Sequence, residues 1–237
     1  MASAVRGRAA LVTGASRGIG LAIARRLGRL GAHVAMNARR AGPLGEAAAK
    51  LRAEGIETLA VPGDVTHQEQ VAALVETSQR HFGAIDILVN NAGIGIFRSL
   101  PELSEADWDN VIDTNLKSVF LMSRAVAPEM IRRGTGFIIN IASLAGKNAF
   151  AGGAVYCASK WGLMGLTYCM AEDLRGYGIR VSVVCPGSVA TEFSPHAGKD
   201  QSKMLQADDV AHAVEMILTA APQSFLSEVV LRPTQKP

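Results

Sequence analysis

The chain has 237 residues, 49% hydrophobic and 19% charged, a composition that excludes a disordered protein and allows a sizeable core. No apolar run reaches the ~20 residues of a membrane span and the N-terminal segment carries no secretory signal, so we expect a cytoplasmic protein without a membrane partner. The net charge of +3 argues against a nucleic-acid partner, and three cysteines and five histidines without ligand spacing argue against a metal site.

Strand-like and helix-like segments alternate along the chain. Short apolar runs predict strands at residues 9–14, 33–38, 57–61, 85–90, 136–143, 179–184 and 227–231. Apolar residues at helical spacing follow each strand but the last, in the segments 19–30, 42–55, 66–75, 104–116, 154–176 and 207–220. Two of these helices open on a capping-box pattern, Thr66 with Glu69 and Ser104 with Asp107.

The order of these segments indicates an α/β protein. Apolar strands that alternate with helices are typical of a parallel sheet covered by helices on both sides. We therefore predict a Rossmann-type, doubly wound parallel sheet of about seven strands. No linker, repeat or low-complexity block divides the chain, so residues 1–237 are expected to form a single domain. Ligands of such sheets bind at the carboxyl ends of the strands, which directs attention to the residues after each strand.

The first strand is followed by the glycine-rich sequence TGASRGIG at residues 13–20. Gly14, Gly18 and Gly20 allow a tight turn and a close approach of the backbone to a pyrophosphate group. The helix that begins there points its N-terminus at the same place, where an anion is stabilised. A glycine turn between a strand and an amphipathic helix therefore indicates a nucleotide-binding site.

Tyr156 and Lys160 are four residues apart in a predicted helix, so their side chains share one face. An ammonium beside a phenol favours the phenolate and is expected to lower the pKa of Tyr156. The pair could transfer protons, or the tyrosine could pack in the core with one hydrogen-bond partner. Cys157 points about 100° away from Tyr156 on the same helix, so we do not expect a cysteine nucleophile.

Further motifs match one known family in order and spacing. The glycine turn has the form T-G-x-x-x-G-x-G, NNAG occupies residues 90–93, and Ser143 precedes the Tyr-x-x-x-Lys motif by thirteen residues. Asn115 lies within the long helix, and PGSVAT follows the sixth strand at residues 186–191. Over essentially its whole length the chain resembles the short-chain dehydrogenase/reductase family.

This resemblance implies hydride exchange between a nicotinamide cofactor and a ketone, aldehyde or alcohol. It implies that Tyr156 donates or accepts the proton, that Lys160 stabilises the phenolate and binds the ribose, and that Ser143 donates a hydrogen bond to the substrate oxygen. The backbone of Asn115 would hold a water that connects Lys160 to solvent. Besides Tyr156 and Lys160, the implied cofactor contacts are Gly14, Ser16, Arg17, Gly18, Ile19, Gly20, Arg39, Asp64, Val65, Asn91, Ala92, Gly93, Pro186, Gly187, Val189 and Thr191.

The end of the second strand predicts which dinucleotide is bound. Ala38 stands where NAD-preferring members of the family carry an aspartate, and Arg39 follows it. Together with Arg17 in the glycine turn, this gives two guanidinium groups and no carboxylate, which suits the 2′-phosphate of NADP(H). Alternatively, Arg39 and Arg40 form a solvated surface pair. Asp64 resembles the family residue that contacts the adenine, or it is an ordinary turn aspartate.

The substrate is less well specified than the cofactor. The segment that covers the substrate in this family corresponds to residues 192–206, and its short polar sequence suggests an open cleft. The 3-oxoacyl reductases of the family end near an Asp-Gly-Gly motif, whereas this chain ends in SEVVLRPTQKP. We therefore expect a small carbonyl or alcohol substrate, with 3-oxoacyl reduction included. A dinucleotide-binding sensor without catalysis and an arginine-based nucleic-acid binder are the alternatives.

The helix that carries Tyr156 continues with small and apolar residues, which are Gly162, Met164, Gly165, Leu166 and Met170. This composition permits close packing of helices, and members of the family commonly assemble through this helix. We therefore predict a homodimer or homotetramer. The alternative is that these side chains belong to the core of a monomer.

Overall fold

The computed structural model describes residues 5–193 and 200–236. Its strands are β1 (Ala9–Val12), β2 (His33–Ala38), β3 (Thr58–Pro62), β4 (Ile87–Asn90), β5 (Gly136–Ile141), β6 (Ile179–Pro186) and β7 (Glu228–Leu231). Its helices are α1 (Gly18–Arg29), α2 (Ala41–Ala53), α3 (Gln68–Phe82), α4 (Glu105–Ile112), α5 (Ser118–Arg133), α6 (Ala154–Arg175) and α7 (Ala207–Thr219). No helix within the described ranges is long and apolar enough to span a membrane.

The described strands form one seven-stranded sheet in the order β3-β2-β1-β4-β5-β6-β7. Neighbouring strands all run parallel. In the centre of the sheet, Leu11 of β1 pairs with Ala35 of β2 on one side and with Leu88 of β4 on the other. The prediction of a Rossmann-type parallel sheet of about seven strands is confirmed.

Helices cover both faces of the sheet because its strands are apolar on both sides. Val12 of β1 packs in the core layer that contains α1, α2 and α7, whereas its neighbour Leu11 packs in the layer that contains α3, α5 and α6. Successive side chains of a strand point to opposite faces, so each strand contributes to both layers. Both side chains are completely buried. The double layer confirms the doubly wound arrangement.

The order of strands reverses at β1. The sheet grows through β2 and β3 on one side of β1 and through β4 to β7 on the other. A crevice opens at the carboxyl ends of the strands where such a reversal occurs, and ligands of doubly wound sheets bind there. The fold therefore places the glycine turn after β1 and the NNAG loop after β4 at the two sides of this crevice.

Of the two predicted capping boxes, the one at Ser104 is present. Ser104 Oγ accepts a hydrogen bond from the Asp107 N–H, and Asp107 Oδ2 accepts one from the Ser104 N–H, both at 3.1 Å. The prediction for Thr66 is wrong, because α3 begins only at Gln68. The Thr66 hydroxyl instead donates to Asp64 Oδ1 at 2.8 Å, a local turn contact that competes with capping.

The long helix predicted after Ser104 is continuous but not uniform. A π-helical turn, Asp113–Lys117, joins α4 to α5. In a π turn the backbone bonds run between residues five apart, so the helix that follows presents a different face. Asn115 lies within this turn and is 1% exposed. The sequence identified Asn115 but not the change of helix type around it.

Candidate active site

A cleft of about 830 Å³ runs along the carboxyl edge of the sheet. Its walls come from the segments that follow β1 to β6 and from the first turns of α6. All of the predicted catalytic and cofactor-binding residues line this cleft except Gly20 and Asn115. The fold therefore brings together residues that are up to 177 positions apart in the chain, from Gly14 to Thr191.

The glycine turn packs tightly against α1. Gly14 and Gly18 have positive φ angles of 65° and 55°, a conformation that residues with a side chain rarely adopt. A Cβ on Gly20 would lie 2.3 Å from the Gly14 carbonyl oxygen. Gly20 is therefore needed for the contact between α1 and the turn, and not as a wall of the cleft. The first residues of α1, Gly18 and Ile19, do line the cleft.

Thr13 and Asn91 join the loops that follow β1 and β4. The Thr13 hydroxyl accepts hydrogen bonds from the backbone N–H groups of Asn91 and Ala92, both at 3.0 Å. The Asn91 side chain donates to the carbonyl oxygens of Thr13 at 2.9 Å and of Gly14 at 3.2 Å. Asn91 thus holds the glycine turn in place. Thr13 belongs to the glycine-turn motif but was not among the predicted site residues, although a threonine directly before the first glycine was a signal for such a role.

Charged groups line the part of the cleft next to the glycine turn and β2. Arg17 Nη1 is 3.3 Å from Glu192 Oε2, and both side chains are largely exposed. Burial raises the pKa of Asp64, but hydrogen bonds from Thr66 and the nearby Arg39 charge outweigh it and hold that pKa below its usual value. Asp64 therefore carries a negative charge at neutral pH, and it both stabilises its own turn and lines the cleft.

Asn37, which the sequence analysis did not identify, shapes the same part of the cleft. It is 1% exposed, and its Nδ2 donates to the carbonyl oxygens of Val61 and Gly63, both at 3.1 Å. These bonds tie the carboxyl ends of β2 and β3 together, and the next two residues, Ala38 and Arg39, line the cleft. A buried asparagine near the end of an otherwise apolar strand was the available signal.

Ser143, Tyr156 and Lys160 lie together in the same cleft. The Ser143 side chain is hydrogen-bonded to the Tyr156 phenol, and Ser143 Oγ accepts a hydrogen bond from the Ala145 N–H at 3.1 Å. The Lys160 ammonium donates to the Ile141 carbonyl oxygen at 3.0 Å and lies 5.9 Å from the centre of the Tyr156 ring. Both predicted partners on α6 thus face the cleft, and a serine hydroxyl meets the phenol.

Burial of Tyr156 and Lys160 reverses one expectation from the sequence. Burial raises the pKa of Tyr156 to about 12, although the hydrogen bond with Ser143 acts in the opposite direction. It also lowers the pKa of Lys160 to about 8. Removal from water disfavours the charged form of each group, and the amine is bonded to a backbone carbonyl rather than to the phenol. At neutral pH the Tyr156 phenol is therefore neutral, and the lowered pKa that the four-residue spacing led us to expect is absent.

Asn115 supports the cleft without lining it. Its Oδ1 accepts a hydrogen bond from the Ile94 N–H at 2.8 Å, and its Nδ2 donates to the Ile94 carbonyl oxygen at 2.9 Å and to Ser159 Oγ at 3.1 Å. Ser159 in turn donates to the Tyr156 carbonyl oxygen at 2.7 Å. The Asn115 side chain therefore fastens the loop after NNAG to the helix that carries Tyr156.

Phenylalanine side chains that the sequence analysis did not identify line the cleft around Tyr156. The centres of Phe97 and Phe193 lie 5.3 Å and 5.9 Å from the centre of the Tyr156 ring, and Phe150 lies 6.0 Å from Phe97. Phe193 is the second residue of the covering segment that was expected to be polar, of which residues 194–199 lie outside the described residues. Aromatic residues in loops at the carboxyl ends of strands were the signal for these three rings.

The cleft has the features that an anionic dinucleotide requires. Its glycine turn exposes backbone to the cavity, the N-terminus of α1 lines it, and Arg17 and Arg39 supply positive charge. In the part of the chain that the structure describes, no group of three His, Cys, Asp or Glu side chains is placed to hold a metal ion.

Known proteins resemble this chain in sequence over most of its length. A family model described as short chain dehydrogenase matches residues 8–202. Gluconate 5-dehydrogenase from Gluconobacter oxydans is 43% identical over 82% of this chain and 76% of its own length. The 3-oxoacyl-[acyl-carrier-protein] reductase FabG from Staphylococcus epidermidis is 39% identical over 84% of this chain and 82% of its own length.

Solved structures extend the similarity to the whole fold. A metagenomic short-chain oxidoreductase, solved in complex with NADP, is 46% identical and superposes with a TM-score of 0.88 over 99% of this chain and 100% of the other. An alcohol dehydrogenase from the archaeon Thermococcus sibiricus, solved with 5-hydroxy-NADP, is 33% identical, with a TM-score of 0.89 over 97% of this chain and 98% of its own. With its fold, its cleft and its motifs in agreement, the chain belongs to the short-chain dehydrogenase family of oxidoreductases.

Proposed function

We propose that this protein is an NADPH-dependent reductase that converts a ketone or aldehyde, 3-oxoacyl substrates included, to an alcohol. The observation that carries the proposal is the meeting of the Ser143 and Tyr156 hydroxyls in a cleft that also contains the glycine turn. A carbonyl oxygen beside these two hydroxyls would accept a hydrogen bond from each. The neutral, buried Tyr156 holds the proton that this oxygen needs on reduction.

The reaction adds a hydride to the carbonyl carbon and a proton to the oxygen. NADPH held along the glycine turn would supply the hydride, and the Tyr156 hydroxyl would transfer its proton to the oxygen. Ser143 donates a hydrogen bond to the same oxygen, where negative charge develops. The Lys160 ammonium, 5.9 Å from the Tyr156 ring centre, offsets the charge left on the phenol until solvent returns a proton. Asn115 positions the helix and loop that hold these groups.

NADP(H), rather than NAD(H), is the proposed cofactor. Arg39 and Arg40 line the cleft, whereas the basic doublets at 25–26 and 132–133 are held in ion pairs with acidic side chains. Ala38 offers no carboxylate to repel a 2′-phosphate, and Arg39 presents a guanidinium beside it. The two solved relatives that contain NADP and 5-hydroxy-NADP support the same choice.

We further propose that the protein acts in the cytoplasm as a homodimer or homotetramer. Of the α6 residues predicted for this contact, Met164 is buried in the core and Leu166 and Met170 pack against it, whereas Gly165 is exposed. The outer face of α6 instead carries Ala158 and Gly165 beside Trp161 and Tyr168, which are 54% and 46% exposed. Large apolar rings on an otherwise small-residue stripe suit a contact with a second copy of the helix. The three cysteines are free thiols, as in proteins of a reducing compartment.

A screen of NADPH and NADH oxidation against aldehydes, diketones and 3-oxoacyl esters tests the function. We expect turnover with NADPH and at least about tenfold lower kcat/KM with NADH, because a lost phosphate–guanidinium contact is worth about 1.5–3 kcal/mol. Tyr156→Phe keeps the ring but removes the proton, so we expect it to retain NADPH binding and lose at least ~99% of turnover.

The alternatives give different results in the same screen. A wild-type protein that binds NADPH but turns over no member of the panel would be a dinucleotide sensor. Retained activity in Tyr156→Phe would remove Tyr156 from its role as proton donor. A nucleic-acid binder would instead show a salt-dependent shift of DNA that NADPH competes away only if the arginines of the cleft are shared.

A further inference from the structure

Three phenylalanine rings form an apolar surface around the Tyr156 phenol. We name this surface the aromatic wall and define it as Phe97, Phe150 and Phe193. Phe97 stands edge-on to Tyr156 at 5.3 Å and Phe193 is tilted against it at 5.9 Å, distances typical of interacting rings. The rings come from the loops after β4, β5 and β6, so the fold gathers them where a substrate carbonyl must be held.

The aromatic wall is open to the cleft. Phe97, Phe150 and Phe193 all line it, and they are 37%, 49% and 41% exposed. Aromatic surface in a concave site is unfavourably hydrated, and an apolar ligand that covers it gains the free energy of removing that surface from water. The wall therefore favours a ligand that presents apolar area next to its carbonyl group.

Two glycines leave the space that the three rings occupy. A Cβ on Gly95 would lie 2.7 Å from Phe97 Cζ and 3.1 Å from Phe193 Cε1, and a Cβ on Gly153 would lie 2.7 Å from Phe150 Cε2. Neither glycine has a positive φ angle, so these positions need the missing side chain and not an unusual backbone. Each ring packs against backbone that carries no side chain, so the positions of the three rings depend on these glycines.

The charges of the cleft disfavour an anionic substrate at the aromatic wall. Among the described residues, the cationic side chains that line the cleft are Arg17, Arg39, Arg40 and Lys160. The arginines belong to the glycine turn and the end of β2, and Lys160 is bonded to a backbone carbonyl. Glu192, next to Phe193 in the chain, adds a negative charge that Arg17 faces at 3.3 Å. The Arg17 charge is thereby offset by Glu192, so a substrate carboxylate held against the aromatic wall would lose hydration without gaining this cation as a partner.

We infer that the substrate is an uncharged ketone or aldehyde with an aromatic ring next to its carbonyl carbon. The inference rests on the proposed function, which places the carbonyl oxygen at Ser143 and Tyr156. The substrate ring packs on the aromatic wall with centres about 4.5–7 Å apart. One hydride from NADPH and one proton from Tyr156 convert the carbonyl to the corresponding alcohol. A polyhydroxy acid such as gluconate would lose hydration against these rings without gaining hydrogen bonds from them.

Matched carbonyl compounds test this inference with the wild-type enzyme and NADPH. The set contains acetophenone, its 4-carboxylate, cyclohexyl methyl ketone and 2,3-butanedione, the last as a small substrate without a ring. We expect kcat/KM for acetophenone to exceed that for the 4-carboxylate at least about tenfold and that for the cyclohexyl ketone several-fold. Equal values for acetophenone and either comparison compound would overturn the inference.

Variants of the wall connect this preference to the rings. We expect Phe97→Ala and Phe193→Ala to lower the ratio of kcat/KM for acetophenone to that for butanedione about tenfold, mainly through KM. The control is Phe120→Ala, since Phe120 is a similarly exposed ring on α5, outside the cleft, and the ratio should not change there. A ratio that stays constant in both wall variants would contradict the assignment.

A binding measurement separates substrate recognition from turnover. Titration calorimetry of 1-phenylethanol into the inactive Tyr156→Phe protein with NADP⁺ should give a Kd several-fold below that of 1-cyclohexylethanol, and adding Phe97→Ala should remove the difference. Reduction of butanedione without any aromatic preference would overturn the inference and leave the proposed function standing. Failure to reduce all four carbonyl compounds would overturn both.

Discussion

Burial determines what Tyr156 and Lys160 can do. The Tyr156 side chain is 8% exposed, and its raised pKa of about 12 keeps the hydroxyl proton in place, as a donor in carbonyl reduction requires. Lys160 is 5% exposed, so its ammonium is held in a region where charge is costly. The burial that suits these two groups to their proposed roles should therefore reduce the stability of the fold.

Replacing Lys160 by methionine should stabilise the protein at neutral pH while abolishing turnover. The pKa of Lys160 falls from 10.5 in the unfolded chain to about 8 in the folded protein, a cost on the order of 3 kcal/mol below pH 8. Methionine has a similar length and no charge, so it removes this cost. It also leaves the Ile141 carbonyl without its hydrogen-bond donor, which lowers the gain in stability by about 1 kcal/mol. Thermal unfolding at pH 7 should show a Tm several degrees above that of the wild type.

The pH dependence gives this prediction a defined sign. The unfolded chain binds the Lys160 proton up to its ordinary pKa and the folded protein releases it near pH 8, so wild-type stability from this group rises between about pH 8 and 10.5. The advantage of Lys160→Met should shrink over the same window. Lys147→Met is the control, because the Glu228 carboxylate raises the pKa of Lys147 and that variant should not gain stability. A Lys160→Met protein that is less stable than the wild type at pH 7 would refute the argument.

At the scale of elements, the junction between the glycine turn and α1 depends on the absence of a single side chain. We expect Gly20→Ala to destabilise the protein by at least about 2 kcal/mol, because the new Cβ would lie 2.3 Å from the Gly14 carbonyl oxygen and the backbone must move. The same movement displaces the N-terminus of α1, so affinity for NADPH should fall together with stability. Urea unfolding and a fluorescence titration with NADPH measure the two effects.

Gly45→Ala is the matched control for this element. Gly45 lies inside α2, and a Cβ there would contact nothing within 4 Å. Alanine has the higher helix propensity, so this variant should gain about 0.5–1 kcal/mol and bind NADPH as the wild type does. If both glycine variants changed stability in the same direction, the close contact at Gly20 would not be the cause.

Local patterns predicted the elements well where a single segment contains the determining interactions. The capping box at Ser104 and the Tyr156–Lys160 face of α6 depend on residues three or four apart, and both are present. Thr66 failed as a cap because its hydroxyl is taken by Asp64, two residues away, in a turn that the sequence pattern did not resolve from a helix start. The π turn around Asn115 was missed because apolar spacing continues through it.

At the scale of the whole molecule, the contacts between segments that are distant in the chain could not be predicted from the sequence. The alternation of strands and helices indicated a parallel doubly wound sheet, but not the order in which the strands lie. The tie between Thr13 and Asn91 and the aromatic wall both depend on that order. The motif residues could therefore be assigned to the cleft from the sequence, whereas the phenylalanine rings around Tyr156 could be recognised only in the folded structure.

Assembly of the protein is expected to involve the outer face of α6. Trp161 and Tyr168 leave about half of each ring exposed on a helix whose opposite side is buried in the core, and we expect a second copy of the chain to cover them. Light scattering after gel filtration should give two or four times the chain mass of 24.9 kDa. Trp161→Glu places a charge in this contact and should shift the protein toward the single-chain mass, since a buried interface tryptophan is worth about 2 kcal/mol or more.

Tyr177→Glu provides the comparison, because Tyr177 is an aromatic residue with 52% exposure that lies beyond the end of α6. That variant should keep the assembled mass, which would show that the effect of Trp161→Glu comes from its position and not from the added charge. An assembled mass that survives Trp161→Glu would place the contact on another surface, and a wild type with the mass of one chain would mean that these rings face solvent. Turnover measured on the separated species then decides whether the cleft needs the assembly: because Tyr156 and Trp161 lie on the same helix, a monomer with looser packing of α6 should lose activity in parallel with mass.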